Sequence, residues 1–210
     1  MTGLSIDLDP PLEAFRRSGS VLTVSEDLAD RFGIDPERVC LHLEDMAAGP
    51  SKLAAVRRLF AGSEDAIPPG FAFARIPDAS GITICISDAE DPGQPLGYMS
   101  MALEAEWDRA IPWQKDRPVW VTLTLQAIFV TADRREEGWG RALAAGGCAL
   151  ARDLLDRAAQ RARISLGEIR SEVTGRALAP ESARLMRKIE DALDAGYQVG
   201  ERALEVQAAF

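Results

Sequence analysis

Residues 121–143 read VTLTLQAIFVTADRREEGWGRAL. The run Val119 to Val130 has the β-branched, apolar composition of a buried strand. A short polar turn follows, then Arg135-Glu136-Glu137-Gly138-Trp139-Gly140, then an Ala/Leu-rich run that predicts a helix to about Arg163. Strand, glycine-containing turn and helix together aim several backbone N–H groups at one spot before a positive helix end. Such a spot suits phosphate. Gly138 and Gly140 leave the main chain open to an anion, and Arg134, Arg135 and Arg141 bring charge to it. The turn is no P-loop, because no Gly-Lys-Ser/Thr follows, and it lacks the G-x-G-x-x-G spacing of dinucleotide folds.

The series Val130, Arg135, Gly138, Gly140 and Leu143 resembles the acyl-CoA-binding motif of the GNAT superfamily of N-acyltransferases. That resemblance implies a GNAT-like α/β fold: a mixed, mostly antiparallel central sheet flanked by helices and splayed at the acyl-CoA-binding strand. It implies acetyl-CoA or CoA as acyl donor and a primary amine as acceptor. By the same resemblance the backbones of Ile128 and Val130 would contact pantetheine. Arg135 and the amides of Glu136, Glu137, Gly138, Trp139, Gly140 and Arg141 would contact phosphate. The chain departs from the family at Ala132, where Pro is usual, and at Glu136 and Glu137, where Gly or a basic residue is usual. Two carboxylates beside phosphate are tolerable only if their side chains turn away.

A chain of 210 residues with 47% hydrophobic and 27% charged residues is long enough for a substantial core and is not of disordered composition. The expected organisation is a single acyltransferase domain over 1–210, whose first 65 residues are helical and of unassigned correspondence to the family core. No apolar run reaches the ~18 residues of a membrane span, and the N-terminus lacks the basic region of a signal peptide, so a cytoplasmic protein is expected. Cys40, Cys85 and Cys148 are odd in number and scattered, which predicts buried thiols rather than a disulfide framework or a metal site. A net charge of −9 disfavours nucleic acid and anionic membrane as partners. The assembly, a homodimer included, is left open.

Residues 28–43 have helix-turn-helix spacing, with Asp35 as cap and Pro36 opening a second helix to about Ala48. Asp35, Glu37, Glu44 and Asp45 against Arg38 would make that helix repel DNA. His42 falls on it as a surface or packing residue. Val21 to Val24 predicts a strand leading to Ser25 as a cap, and Ser51 to Ala61 another helix. Gly81–Ser87 and Leu96–Leu103 predict a hairpin, followed by an insertion from Glu104 to Pro118 that holds Trp107 and Trp113. Ile169 to Val173 predicts a strand, and Pro180 a helix ended by Gly196. Tyr197–Val199 and Ala203–Phe210 are candidate terminal strands.

Acyl transfer to an amine needs a neutral amine, a polarised thioester carbonyl and an exit for a proton. The family often has Glu on the first half of the motif strand, where Thr122, Thr124 and Gln126 stand here, and a Tyr acid where Met186 stands. Glu172, on the strand expected beside the motif strand, is the candidate base. The sequence also allows a protein that binds CoA without transfer and serves as a sensor or interaction module.

Overall fold

A computed structural model describes residues 4–17, 21–44, 82–107, 116–163, 165–175 and 180–207. The helix expected over 51–61 lies outside them. In chain order the elements are β1 (Leu4–Ser5), α1 (Asp9–Arg17), β2 (Val21–Leu22), α2 (Glu26–Phe32), a 3-10 turn (Pro36–Arg38), β3 (Val39–Glu44), β4 (Ile82–Asp88), β5 (Pro95–Trp107), β6 (Asp116–Val130), a second 3-10 turn (Ala132–Arg134), α3 (Trp139–Ala162), β7 (Ser165–Gly175) and α4 (Pro180–Gln207). The strands are ordered β2-β3-β4-β5-β6-β7, with β1 also beside β5. The pairs β1/β5, β2/β3, β3/β4 and β4/β5 are antiparallel. This is the mixed, mostly antiparallel α/β architecture expected from the sequence.

The chain divides into two units, through which β5, β6 and α3 both run. One contains Met1–Ala14, Leu103–Thr124 and Leu150–Phe210. Its core is built from alternate residues of β6 (Val119, Val121 and Leu123) and from Leu150, Leu154 and Leu155 of α3, the period-2 and helical spacings each element needs to bury one side. α4 packs on β7. The Asp194 carboxylate of α4 accepts from the Ser171 backbone N–H at 2.8 Å and from its hydroxyl at 2.6 Å. On the opposite side of the β6/β7 pair the Thr124 and Thr174 hydroxyls bond at 3.0 Å, and Arg170 lies 5.4 Å over the exposed Trp120 ring.

The other unit contains Phe15–Ala102 and Leu125–Ala149. Ile82, Ile84 and Ile86 of β4 register with Met101, Met99 and Gly97 of β5, and Leu41 registers with Ile86. The helix α3 lies on this face through two glycines. A Cβ on Gly146 would meet Leu41 Cδ1 at 2.9 Å, and one on Gly147 would meet Met99 Cε at 2.9 Å. The other face holds Thr83, Cys85, Tyr98, Ser100 and Phe129, among them the tilted ring pair Tyr98–Phe129.

Three expectations are corrected. The second helix of the apparent helix-turn-helix does not form. Asp35 does cap a turn, accepting from Glu37 N–H at 3.0 Å, but the turn is 3-10 and the chain continues as β3. Val39 to Glu44 pairs residue for residue with Asp88 to Thr83, and a ladder on both sides outweighs the modest helix preference of these residues. His42 is therefore a half-buried strand residue opposite Cys85 and Val21. The insertion after the hairpin is shorter than expected, because Glu104–Trp107 extends β5 and Asp116–Pro118 opens β6. Gly196 does not end the last helix, which runs to Gln207 and so takes in Tyr197–Val199 and residues 203–207 of the second candidate terminal strand. Cys85 and Cys148 are buried and Cys40 half-buried, none of the three in a disulfide. No helix among the described residues is long and apolar enough to cross a membrane.

Candidate anion-binding loop

The site lies in the second unit, where β6 ends and α3 begins. Gln126 accepts from Ser100 Oγ at 3.0 Å, while the Phe129 ring meets Tyr98 with centroids 5.9 Å apart. Residues 98 and 100 share a face of β5, yet residues three apart on a regular strand point to opposite faces. One extra residue between 126 and 129, as in a β-bulge, reconciles the two contacts. The Phe129 carbonyl then turns in against β5, where a Cβ on Gly97 would stand 2.4 Å from its oxygen. Thr131 N–H bonds to Leu96 O at 3.0 Å and closes the strand end.

After the turn at Ala132–Arg134 the chain adopts two left-handed residues, Glu136 with φ 73° and Gly138 with φ 96°. Glycine takes this conformation freely, whereas a side chain strains it. Glu136 is a residue with a side chain held in that strained conformation. The N-terminal residues of α3 follow. Arg141 and Ala142 N–H both bond to Gly138 O, at 2.9 and 3.0 Å. The amides of Gly138, Trp139 and Gly140 are those that a helix start leaves without intrahelical partners. A Cβ on Gly140 would meet nothing within 4 Å. The main chain is open there.

The side chains take roles that the sequence did not disclose. Arg135 reaches back to the strand: its Nε donates to Val130 O at 3.2 Å and its guanidinium lies 6.0 Å over the Phe129 ring. It ties the loop to β6. Trp139 is buried, and its indole N–H donates to Glu137 Oε2 at 3.1 Å. Arg38, from the 3-10 turn before β3, lies 5.4 Å over the Trp139 ring. Its guanidinium is 4.0 Å from the Glu137 carboxylate, and that of Arg134 is 3.7 Å away. Arg141 spans from Gly138 to Gly33, the left-handed cap of α2. Arg38 joins a loop one hundred residues away in the chain, and no spacing rule could have found it. An open pocket lies beside it, lined in part by Gly33, Ile34, Asp35, Glu137 and Gly138.

Of the residues singled out beforehand, Ile128, Val130, Arg135, Glu136, Glu137, Gly138, Trp139, Gly140 and Arg141 fall in this one unit. Glu172 belongs to the other unit, exposed on β7. Met186 is half-buried on α4. Among the described residues no group of His, Cys, Asp and Glu side chains is arranged to hold a metal.

No protein-family model matches the chain, and no curated protein does. Several solved structures resemble it. One is a ribosomal-protein-alanine N-acetyltransferase from Brucella melitensis, 16% identical over 72% of this chain and 90% of that one, with a TM-score of 0.37. A second is an aminoglycoside acetyltransferase from an uncultured soil metagenomic sample, in complex with sisomicin, 11% identical over 77% and 90%, TM-score 0.39. A third is the toxin AtaT bound to the C-terminus of the antitoxin AtaR, 11% identical over 72% and 83%, TM-score 0.40.

Proposed function

We propose that this chain is an acyl-CoA-dependent N-acyltransferase that moves an acetyl group from acetyl-CoA to a primary amine. The observation that supports it most is the opening at Gly140. A Cβ built there would meet nothing within 4 Å, and in the same loop Arg141 lies near Gly138 while Arg38 and Arg134 lie near Glu137. The amides of Glu137, Gly138, Trp139 and Gly140 would hold the CoA phosphates. Ile128 and Val130 would hold the pantetheine arm through their main chain, Val130 by its N–H, since Arg135 takes its carbonyl. The bulge after Gln126 favours this, because a bulge takes main-chain groups out of the ladder.

The thioester supplies an activated acyl group. A main-chain N–H at the strand end would stabilise the oxygen as charge develops on it. Glu172, exposed on β7, is the candidate base. The test is release of free CoA thiol from acetyl-CoA against a panel of primary amines. No release with any amine, in a protein that binds CoA, would remove the transferase reading.

A second reading is a CoA-binding protein without transfer, acting as a sensor or interaction module. The side-chain pairs Thr124–Thr174 and Ser100–Gln126 favour it. Two positions where the family often has its acidic residue are occupied by polar groups bonded to their neighbours. Calorimetric binding of CoA with no thiol release would select this reading.

A further inference from the structure

The Glu137 carboxylate is an anion already seated among three donors: the Trp139 indole N–H at 3.1 Å, the Arg134 guanidinium at 3.7 Å and that of Arg38 at 4.0 Å. We propose that this is an oxyanion site for a phosphate group of the ligand, which the chain fills with its own Glu137 until the ligand arrives. The proposal rests on the phosphate-binding reading of the loop but not on acyl transfer.

Three observations carry it. Both ion pairs are loose and exposed, with side chains 57% exposed at Arg38, 45% at Arg134 and 38% at Glu137. Pairs of this kind contribute little stability, so exchanging one anion for another costs little. The indole donor is held in place. It belongs to a buried ring, and the Arg38 guanidinium lies 5.4 Å from the centre of that ring. Finally, Arg38, Trp139 and Glu137 border the open pocket. Its other carboxylate, Asp35, is engaged in capping its own turn. A phosphate entering there meets the Glu137 carboxylate, the indole N–H and the Arg38 guanidinium, with Arg134 near Glu137 and also 3.7 Å from Asp133. A guanidinium beside an indole N–H suits the two oxygens of a phosphate better than a single carboxylate held at 3.7 to 4.0 Å.

Glu137 then acts as a built-in competitor. It lowers affinity for phosphate-bearing ligands by occupying the donors that they would use. The experiment measures binding of CoA and of inorganic pyrophosphate to the full chain by calorimetry at fixed salt. It uses wild type, Glu137→Gln, Arg38→Gln, the double variant, and Glu136→Gln as a neighbouring acid. Removing one charge a few ångströms from a multiply charged ligand should tighten binding about five- to tenfold. Glu137→Gln should show this gain for both ligands, and Arg38→Gln should erase it. Glu136→Gln should give a smaller gain that does not depend on Arg38. The Trp139 indole N–H resonance, assigned by Trp139→Phe, should move when ligand binds wild type and less when it binds Glu137→Gln.

Unchanged or weaker binding in Glu137→Gln overturns the proposal, as does a gain that survives Arg38→Gln. Wild-type binding of CoA together with either result leaves the CoA reading standing while the competitor fails. Absence of binding by every variant removes both.

Discussion

Gly138 and Gly140 stand two residues apart and should respond to alanine in opposite directions. Gly140 has ordinary helical geometry with no protein atom within 4 Å of a Cβ built on it. Alanine is favoured over glycine by about 1 kcal/mol inside a helix and by roughly half that in a first turn. Gly140→Ala should therefore raise the unliganded melting temperature by about 1–2 °C, at ~2–4 °C per kcal/mol for a chain of this size. The new methyl group leans toward the N-terminal end of the helix, where the phosphate of CoA would lie. Losing a hydrogen bond to a charged oxygen costs about 1.5–3 kcal/mol, or ~10–150-fold in affinity. With CoA at ~100 times the wild-type dissociation constant, wild type gains about 2.7 kcal/mol. A variant ~100-fold weaker gains about 0.4 kcal/mol, a shift near 1 °C. Gly138→Ala should instead destabilise the free protein by about 1–2 kcal/mol, because φ is 96° there. Differential scanning fluorimetry with and without CoA reads all of this. A full wild-type CoA shift in Gly140→Ala would refute the placement of phosphate at this main chain.

Three further substitutions test the frame around the loop. Glu136→Gly should stabilise the free protein by about 0.5–1 kcal/mol in urea titration, since it relieves a non-glycine φ of 73°; a loss of stability would mean the side chain does something unrecognised. Gly97→Ala places a Cβ 2.4 Å from the Phe129 carbonyl oxygen. It should cost at least ~3 kcal/mol and lower the melting temperature by about 10 °C, and a neutral result would show that β5 and β6 are not held so close. Asp194→Ala removes the acceptor of the Ser171 N–H and hydroxyl. It should cost about 1.5–3 kcal/mol and speed hydrogen exchange at the Ser171 amide, whereas unaltered exchange would deny that Asp194 protects it.

What the residues disclosed in advance was local. The strand ending at Val130, the polar turn and the helix after it follow from composition and spacing within two dozen residues. The caps at Ser25 and Asp35 are read the same way, and each accepts the backbone N–H that its position predicts. The failures arise where a distant partner decides. Val39-Cys40-Leu41-His42-Leu43 suits a short helix or a strand about equally, and β4, forty residues on, settles it by supplying a ladder. At Gly196 one glycine costs about 1 kcal/mol in a helix, too little to end it in the way a cap residue alone suggests. Arg38 looked like a lone cation on an acidic face because Trp139 and Glu137 approach it only after folding. The bulge after Gln126 leaves no mark in the string of residues, since it shows only when two side chains of β5 are touched by the wrong parity of β6.

The bare backbone at Gly146 and Gly147 acts as a keyway. Leu41 and Met99 are its keys, each so near that a single methyl group on the helix would have to displace it. A helix seated in this way can neither roll nor slide by one residue, because either movement would carry a side chain onto a key. A slide of one residue is 1.5 Å along the axis with a turn of about 100°. That is enough to swing an amide out of line with any oxygen it serves. Gly140 lies six residues upstream, ~9 Å along the same rigid rod, so the sheet's own side chains gauge the height and bearing of the helix start. Precision at the loop is thus set from beneath, by two positions that touch no ligand.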